Sequence, residues 1–194
     1  MSGKIIIGVT GEIGAGKTTV VKELEKFNIH PIYADEISHK VLKLKKVKTL
    51  LNNRFGKNIL KNNEIIPKNL AEKAFRNKEN WEKLIYSTHP YIVERISKTI
   101  NTTSYEYYAI DAPLLFESNM DELCDFIILV KAPYATRIKR ITKRLNRKNM
   151  ERRSSFLISL KTKKQKSDFI IDNNQNKRKV KENVKEIWSR IKRK

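Results

Sequence analysis

The stretch Gly11-Glu12-Ile13-Gly14-Ala15-Gly16-Lys17-Thr18 has the spacing G-x-x-x-x-G-K-T and directly follows the apolar run Ile5-Ile6-Ile7-Gly8-Val9. This is the pattern of a phosphate-binding loop. Gly11, Gly14 and Gly16 let the backbone curl so that N–H groups meet phosphate oxygens, an approach that a Cβ would obstruct. A helix starting near Lys17 adds the partial positive charge of its N-terminus to the same site. Lys17 is placed to reach the β- and γ-phosphates of a nucleoside triphosphate, and the Thr18 hydroxyl to coordinate Mg²⁺. Ala15 and Thr19 complete the expected ATP-binding set. The alternative, a glycine turn without a ligand, leaves the strand before and the helix after it unexplained.

Such a loop says nothing about the acceptor, so other residues must decide. Asp35 lies eighteen positions after Lys17, enough for a helix and a returning strand, so its carboxylate is expected beside the γ-phosphate as a general base. The structural alternative is a cap on a helix starting at Glu36. Asp111 ends the run Tyr107-Tyr108-Ala109-Ile110 and is a candidate to hold Mg²⁺ through water, or only a strand-ending Asp. Arg137, Arg140 and Arg144 share one face of a helix, where they either stabilise the transferring phosphoryl group or simply meet solvent. His89-Pro90 either starts a helix or offers an imidazole to the acceptor.

These residues need a scaffold. Short apolar runs at 4–9, 31–34, 107–111, 126–130 and 169–171 are separated by long helical stretches, which predicts crossovers and a parallel sheet of five strands. The expected fold is a three-layer α/β/α sandwich of the P-loop NTPase kind, with ligands at the carboxyl ends of its strands. A discontinuous nucleotide core (about 1–35, 105–115, 125–135 and 167–194) would carry a helical acceptor-binding insertion (about 36–104) and a lid (about 136–166). The insertion shows no strong strand signal. In it, Gly56 is expected near a helix C-cap and Pro67 at a helix start. Val180, Val184, Ile187, Trp188 and Ile191 form a helical stripe that should pack on the core.

The chain has 194 residues, 39% hydrophobic and 32% charged, which suits one globular domain. No apolar run reaches membrane-spanning length and no leader pattern opens the sequence, so a cytoplasmic protein without a membrane partner is expected. One cysteine, Cys124, excludes an internal disulfide and is expected as a small buried apolar side chain; three scattered histidines do not suggest zinc. The net charge of +21 admits nucleic-acid binding, yet the lysines are spread along the chain and a positive field also concentrates small polyanions. No specific nucleic-acid partner is expected, and a monomer is favoured.

Several segments together resemble the dephospho-coenzyme A kinases. They are Val9–Thr18, Ala34-Asp35-Glu36-Ile37-Ser38-His39, Arg54-Phe55-Gly56, His89-Pro90, Asp111-Ala112-Pro113-Leu114-Leu115-Phe116-Glu117 and Ser167–Asn173. The loop is generic to many kinases, whereas the P-L-L-F-E segment with F-G and H-P is more specific. The resemblance implies ATP-dependent phosphorylation of the ribose 3′-hydroxyl of dephospho-coenzyme A, the last step of coenzyme A synthesis, with Mg²⁺. It implies Asp35, Lys17 and Arg140 as catalytic residues and Arg140 with Arg144 on ATP. Thr10, Asp35, Lys68, His89, Pro113, Leu114, Leu115 and Phe116 would meet the acceptor.

The chain departs from the family pattern at Glu12 (usually glycine), Ala15 (serine), Tyr33 (aspartate), Lys68 (arginine), Arg137 and Leu157 (glutamines). Lys68 keeps a charge but loses a bidentate fork. Glu12 puts a negative charge beside the phosphates, a cost to ATP binding unless it points to solvent. The rival readings are another small-molecule or nucleotide kinase of the same fold, and a basic nucleic-acid-binding P-loop protein.

Overall fold

A computed structural model describes residues 3–141, 147–174 and 176–193. The chain divides into two compact units, residues 1–33 with 100–194, and residues 34–99.

The first unit is built on five parallel strands: β1 (Ile5–Gly11), β2 (His30–Tyr33), β5 (Tyr107–Asp111), β6 (Phe126–Lys131) and β7 (Phe169–Asp172). Their spatial order is β2-β5-β1-β6-β7. The fold class is therefore the expected one, a parallel sheet flanked by helices. β1 is central, and the strand order departs to either side of it, so its carboxyl end is where a ligand crevice opens. The register sets Val9 against Asp111, and Asp111 also against Tyr33.

One sheet face is covered by α1 (Lys17–Glu25) and α9 (Lys177–Ile191). Val20, Val21 and Leu24 of α1 and Val180, Val184, Ile187, Trp188 and Ile191 of α9 pack on Ile7, Val9, Ile128, Val130 and Ile171. Each such aliphatic side chain contributes roughly 1.5–3 kcal/mol by leaving water. Asn176 caps α9, its side-chain oxygen accepting from Lys179 N at 3.0 Å. Three further helices follow the last-but-one strand: α6 (Tyr134–Ile141), α7 (Arg147–Ser154) and α8 (Leu160–Gln165). Ser159 caps α8 by accepting from Thr162 N at 3.1 Å.

The second unit holds α2 (Ala34–Val41), α3 (Lys45–Phe55), α4 (Pro67–Ala74) and most of α5 (Lys78–Thr102). Gly56 is the C-cap of α3 and Pro67 the first residue of α4, as expected. Two features go beyond the sequence reading. The insertion contains a small antiparallel hairpin, β3 (Leu60–Lys61) with β4 (Glu64–Ile65), turning at Asn62 and Asn63, which both have positive φ. Asparagine tolerates that conformation, and two such residues make the tight turn that suits a twisted hairpin. Pro90 does not open a helix but lies inside α5. The carbonyl deprived of its bond by Pro90 belongs to Tyr86, a residue that is 71% exposed. In the adjacent turn the hydroxyls of Ser87 and Thr88 donate back to the carbonyls of Lys83 (2.6 Å) and Leu84 (2.8 Å).

Among the described residues no helix is long and apolar enough to cross a membrane.

Candidate active site

The loop between β1 and α1 carries the densest chemistry. Gly16 is the N-cap of α1 with φ 95°, a left-handed conformation, and a Cβ there would stand 2.1 Å from Asn173 Nδ2. Only glycine meets both conditions. Lys17 is buried, its Nζ donating to the carbonyls of Gly11 (3.2 Å) and Glu12 (3.3 Å). The ammonium thus folds back over its own loop, at the mouth of the backbone cradle.

Thr18, one residue on, donates from Oγ1 to Asp111 Oδ2 at 2.7 Å. Asp111 ends β5 beside β1 and is 7% exposed. A hydroxyl and a carboxylate oxygen meeting at the end of a phosphate loop form a hard-oxygen donor set of the kind Mg²⁺ takes, with remaining positions left to water and phosphate. Among the described residues there is no cluster of three or more His, Cys, Asp or Glu side chains able to hold a metal by themselves. The residues present therefore fit a metal that arrives with a phosphate.

The outer side of the loop is braced by α6 and the end of β7. Arg140 donates to Ala15 O (3.1 Å) and Asn173 O (2.8 Å), and Asn173 Nδ2 donates to Ala15 O at 2.8 Å. Arg137 is 7% exposed and donates to Ile13 O at 3.3 Å. An exposed basic helix facing only solvent is thus excluded for these two arginines. Arg144 lies outside the described residues. Glu12 does not point to open solvent, because its Oε1 pairs with Arg137 at 2.9 Å. Ala15 is fully buried, and Thr19, exposed, donates its backbone N–H to Gly16 O.

After β5, Pro113 and Leu114 are half-buried, while Leu115 and Phe116 are buried. This segment is pinned by a buried ion pair. Lys163 Nζ lies 3.1 Å from Glu117 Oε1, with side chains 1% and 6% exposed, and also donates to Pro113 O at 3.1 Å. Glu117 Oε1 accepts Ile158 N at 2.9 Å as well. Thr10 is fully buried in β1, and its Oγ1 has no hydrogen-bond partner among the described residues. Cys124 is half-buried rather than fully buried, donating to Met120 O at 3.3 Å; burial, with Asp121 and Asp125 nearby, pushes its thiol up to about 12. It is an inert side chain, not a nucleophile.

Asp35, Lys68 and His89 belong to the second unit. Helix α2 starts at Ala34, so Asp35 is not its cap but an exposed residue of its first turn, where a carboxylate suits the helix dipole. Lys68 is exposed in the first turn of α4. His89 is 9% exposed within α5, burial lowers its pKa to about 4, and its Nδ1 has no partner among the described residues. It is a neutral imidazole at pH 7.

Asn173, Glu117 and Lys163 were not singled out as site residues by the sequence. Asn173 and Glu117 lie in segments that carry the family resemblance, which is the signal that could have found them. Lys163 sits in a lysine-rich run with nothing to set it apart.

A parallel sheet with this loop after its central strand and a hydroxyl–carboxylate pair at the loop's end defines a P-loop protein of the small-molecule kinase kind. The sequence profile described as dephospho-CoA kinase matches residues 5–179. A dephospho-CoA kinase of Fusobacterium nucleatum is 35% identical over 175 residues, 89% of this chain and 91% of its own. Another, of Listeria monocytogenes, is 32% identical, covering 92% of each chain. The dephospho-CoA kinase structure from Campylobacter jejuni superposes with a TM-score of 0.67 at 28% identity over 96% of each chain. The chain belongs to the dephospho-CoA kinase family, whose members phosphorylate dephospho-CoA with ATP in coenzyme A synthesis.

Proposed function

We propose that this chain transfers the γ-phosphoryl group of ATP to the ribose 3′-hydroxyl of dephospho-CoA, with Asp35 as the base and the loop Gly11–Thr18 as the triphosphate cradle. The observation that carries the reading is the 2.7 Å contact of Thr18 with Asp111 at the end of that loop. When bound, Mg²⁺ would be held by Thr18 and Asp111 and would neutralise charge on the phosphates. Lys17 leaves its carbonyl partners for the β- and γ-oxygens, and Arg140 and Arg144 add positive charge from the lid.

Asp35 lies two residues past Tyr33, which stands in register with Asp111. Its exposed carboxylate accepts the proton of the 3′-hydroxyl as that oxygen bonds to phosphorus and the bond to the ADP oxygen breaks. Pro113, Leu114, Leu115 and Phe116 offer the acceptor an apolar wall. Thr10 and His89 each hold a buried polar atom in want of a partner, which suits a hydrogen bond to the acceptor. Lys68 supplies charge to its phosphates. The lid is residues 136–166 and the acceptor-binding part residues 36–104. A cytoplasmic monomer without a dedicated nucleic-acid partner fits this role, its net charge of +21 drawing in two polyanionic substrates.

The test is to incubate the protein with Mg·ATP and dephospho-CoA, with nucleosides and nucleotides as rival acceptors, following ADP release and product mass. Coenzyme A should form, and Asp35→Asn should lower kcat by about 10²–10⁴ while leaving ATP binding in place. Turnover only with another acceptor would reject the substrate, and full activity in Asp35→Asn would reject the base.

A further inference from the structure

Glu12 is the second residue of a loop built to attract anions, and a carboxylate there opposes the rest of the design. Its side chain is 27% exposed and its Oε1 is 2.9 Å from a terminal nitrogen of Arg137, whose side chain is 9% exposed. Arg137 does not depend on Glu12 for its position. Its Nε donates to Ala132 O at 3.2 Å, its other terminal nitrogen donates to Ile13 O at 3.3 Å, and its guanidinium lies 5.5 Å from the Tyr134 ring centre. One side chain of α6 therefore holds the carboxylate of Glu12 and the carbonyl of the next residue together. The approach is close: a Cβ on Gly14 would stand 2.8 Å from Arg137 O and 3.1 Å from Arg137 Cβ.

We propose that Arg137 is a positioning residue for the nucleotide step, acting through Glu12: it cancels the carboxylate's charge and turns it onto α6, so that the loop can accept a triphosphate. The proposal rests on the reading that this loop binds the phosphates of ATP. The planar guanidinium suits the task because one end can serve a carboxylate while the other serves a carbonyl. Without it, Glu12 would leave an uncancelled negative charge on the loop in a partly desolvated site, where repulsion of phosphate is stronger than in bulk water.

A structural brace and a charge compensator predict different double variants. Arg137→Met should weaken Mg·ATP binding by about tenfold or more, with a smaller penalty at higher salt. The KM for ATP should rise, while the KM for dephospho-CoA stays near its starting value. Adding Glu12→Gln to Arg137→Met should recover most of the loss, because the charge to be cancelled is gone. If Arg137 only braces the loop, the double variant would bind no better than Arg137→Met, and the proposal fails; it fails equally if Arg137→Met binds Mg·ATP within about twofold of the parent protein. Should Arg137→Met not fold, Glu12→Gln alone decides: tighter binding with a steeper salt dependence is expected, and weaker binding overturns the proposal. Lys17→Ala in the same titration separates the two readings. Undiminished Mg·ATP binding in Lys17→Ala would remove the ATP assignment itself, whereas loss there with a flat Arg137 series would remove only the compensator.

Discussion

The loop after β1 and the segment after β5 end neighbouring strands, yet they are held by opposite means. The loop is tied from outside by several contacts, mostly between side-chain N–H groups and backbone carbonyls. Ala15 O accepts from both Asn173 and Arg140, and Ile13 O from Arg137. The Asn173 bond contributes about 1 kcal/mol and the arginine bonds about 1.5–3 kcal/mol each, and the doubling at Ala15 means that losing one donor does not strand the carbonyl. The segment Pro113–Glu117 is centred instead on one buried pair, Lys163 with Glu117, whose members also bond Pro113 O and Ile158 N, while Glu117 Oε2 has no partner among the described residues. A distributed set of ties can lengthen one by one as a ligand enters. A buried ion pair either stands or leaves a bare charge in a low-dielectric interior, so it fixes its segment in one place.

The strongest way to break this comparison is to remove Lys163. Lys163→Met should destabilise the fold by about 3–5 kcal/mol, because the Glu117 carboxylate is left buried without its cation. Chemical denaturation measures it, with the midpoint falling and the slope unchanged. Replacing both partners, Glu117→Gln with Lys163→Met, should recover much of that loss. A Lys163→Met protein within about 1 kcal/mol of the parent would mean that the segment is held by its apolar residues and that the contrast with the loop is false.

The two regions also differ in how far the sequence discloses them. The loop is written in consecutive residues, and its partner strand and helix are equally local, as are the apolar runs of the other strands and the stripe of α9. The braces of both regions are not local. Asn173 and Ala15 are 158 positions apart, and Lys163 and Pro113 are 50 apart, so no window of periodicity joins them. Glu12 reads from the sequence as a cost to nucleotide binding unless it points to solvent, because its partner Arg137 lies on α6, far along the chain. Pro90 misled for a different reason: proline is a good helix opener, but a helix tolerates it inside when an exposed face can give the stranded carbonyl to water. The Asn62-Asn63 hairpin was missed because two-residue strands leave no alternation to read, and only the turn residues mark it.

The smallest expected effect sharpens the comparison from the loop's side. Asn173→Ala removes one of the two donors to Ala15 O and the side chain that lies against Gly16. Because Arg140 still serves that carbonyl, the loss of stability should be only about 1 kcal/mol, at the low end for a buried hydrogen bond. No charge is uncovered, so the KM for ATP should rise by less than in Arg137→Met, and the change should be indifferent to salt. Initial-rate measurements at two ionic strengths distinguish the cases. A salt-sensitive loss in Asn173→Ala would mean that the Asn173 side chain, by holding Ala15 O, keeps Arg140, which shares that carbonyl, in place as a cation for the phosphates. The ties of the loop would then be a connected network, and their apparent redundancy at Ala15 would not protect the site.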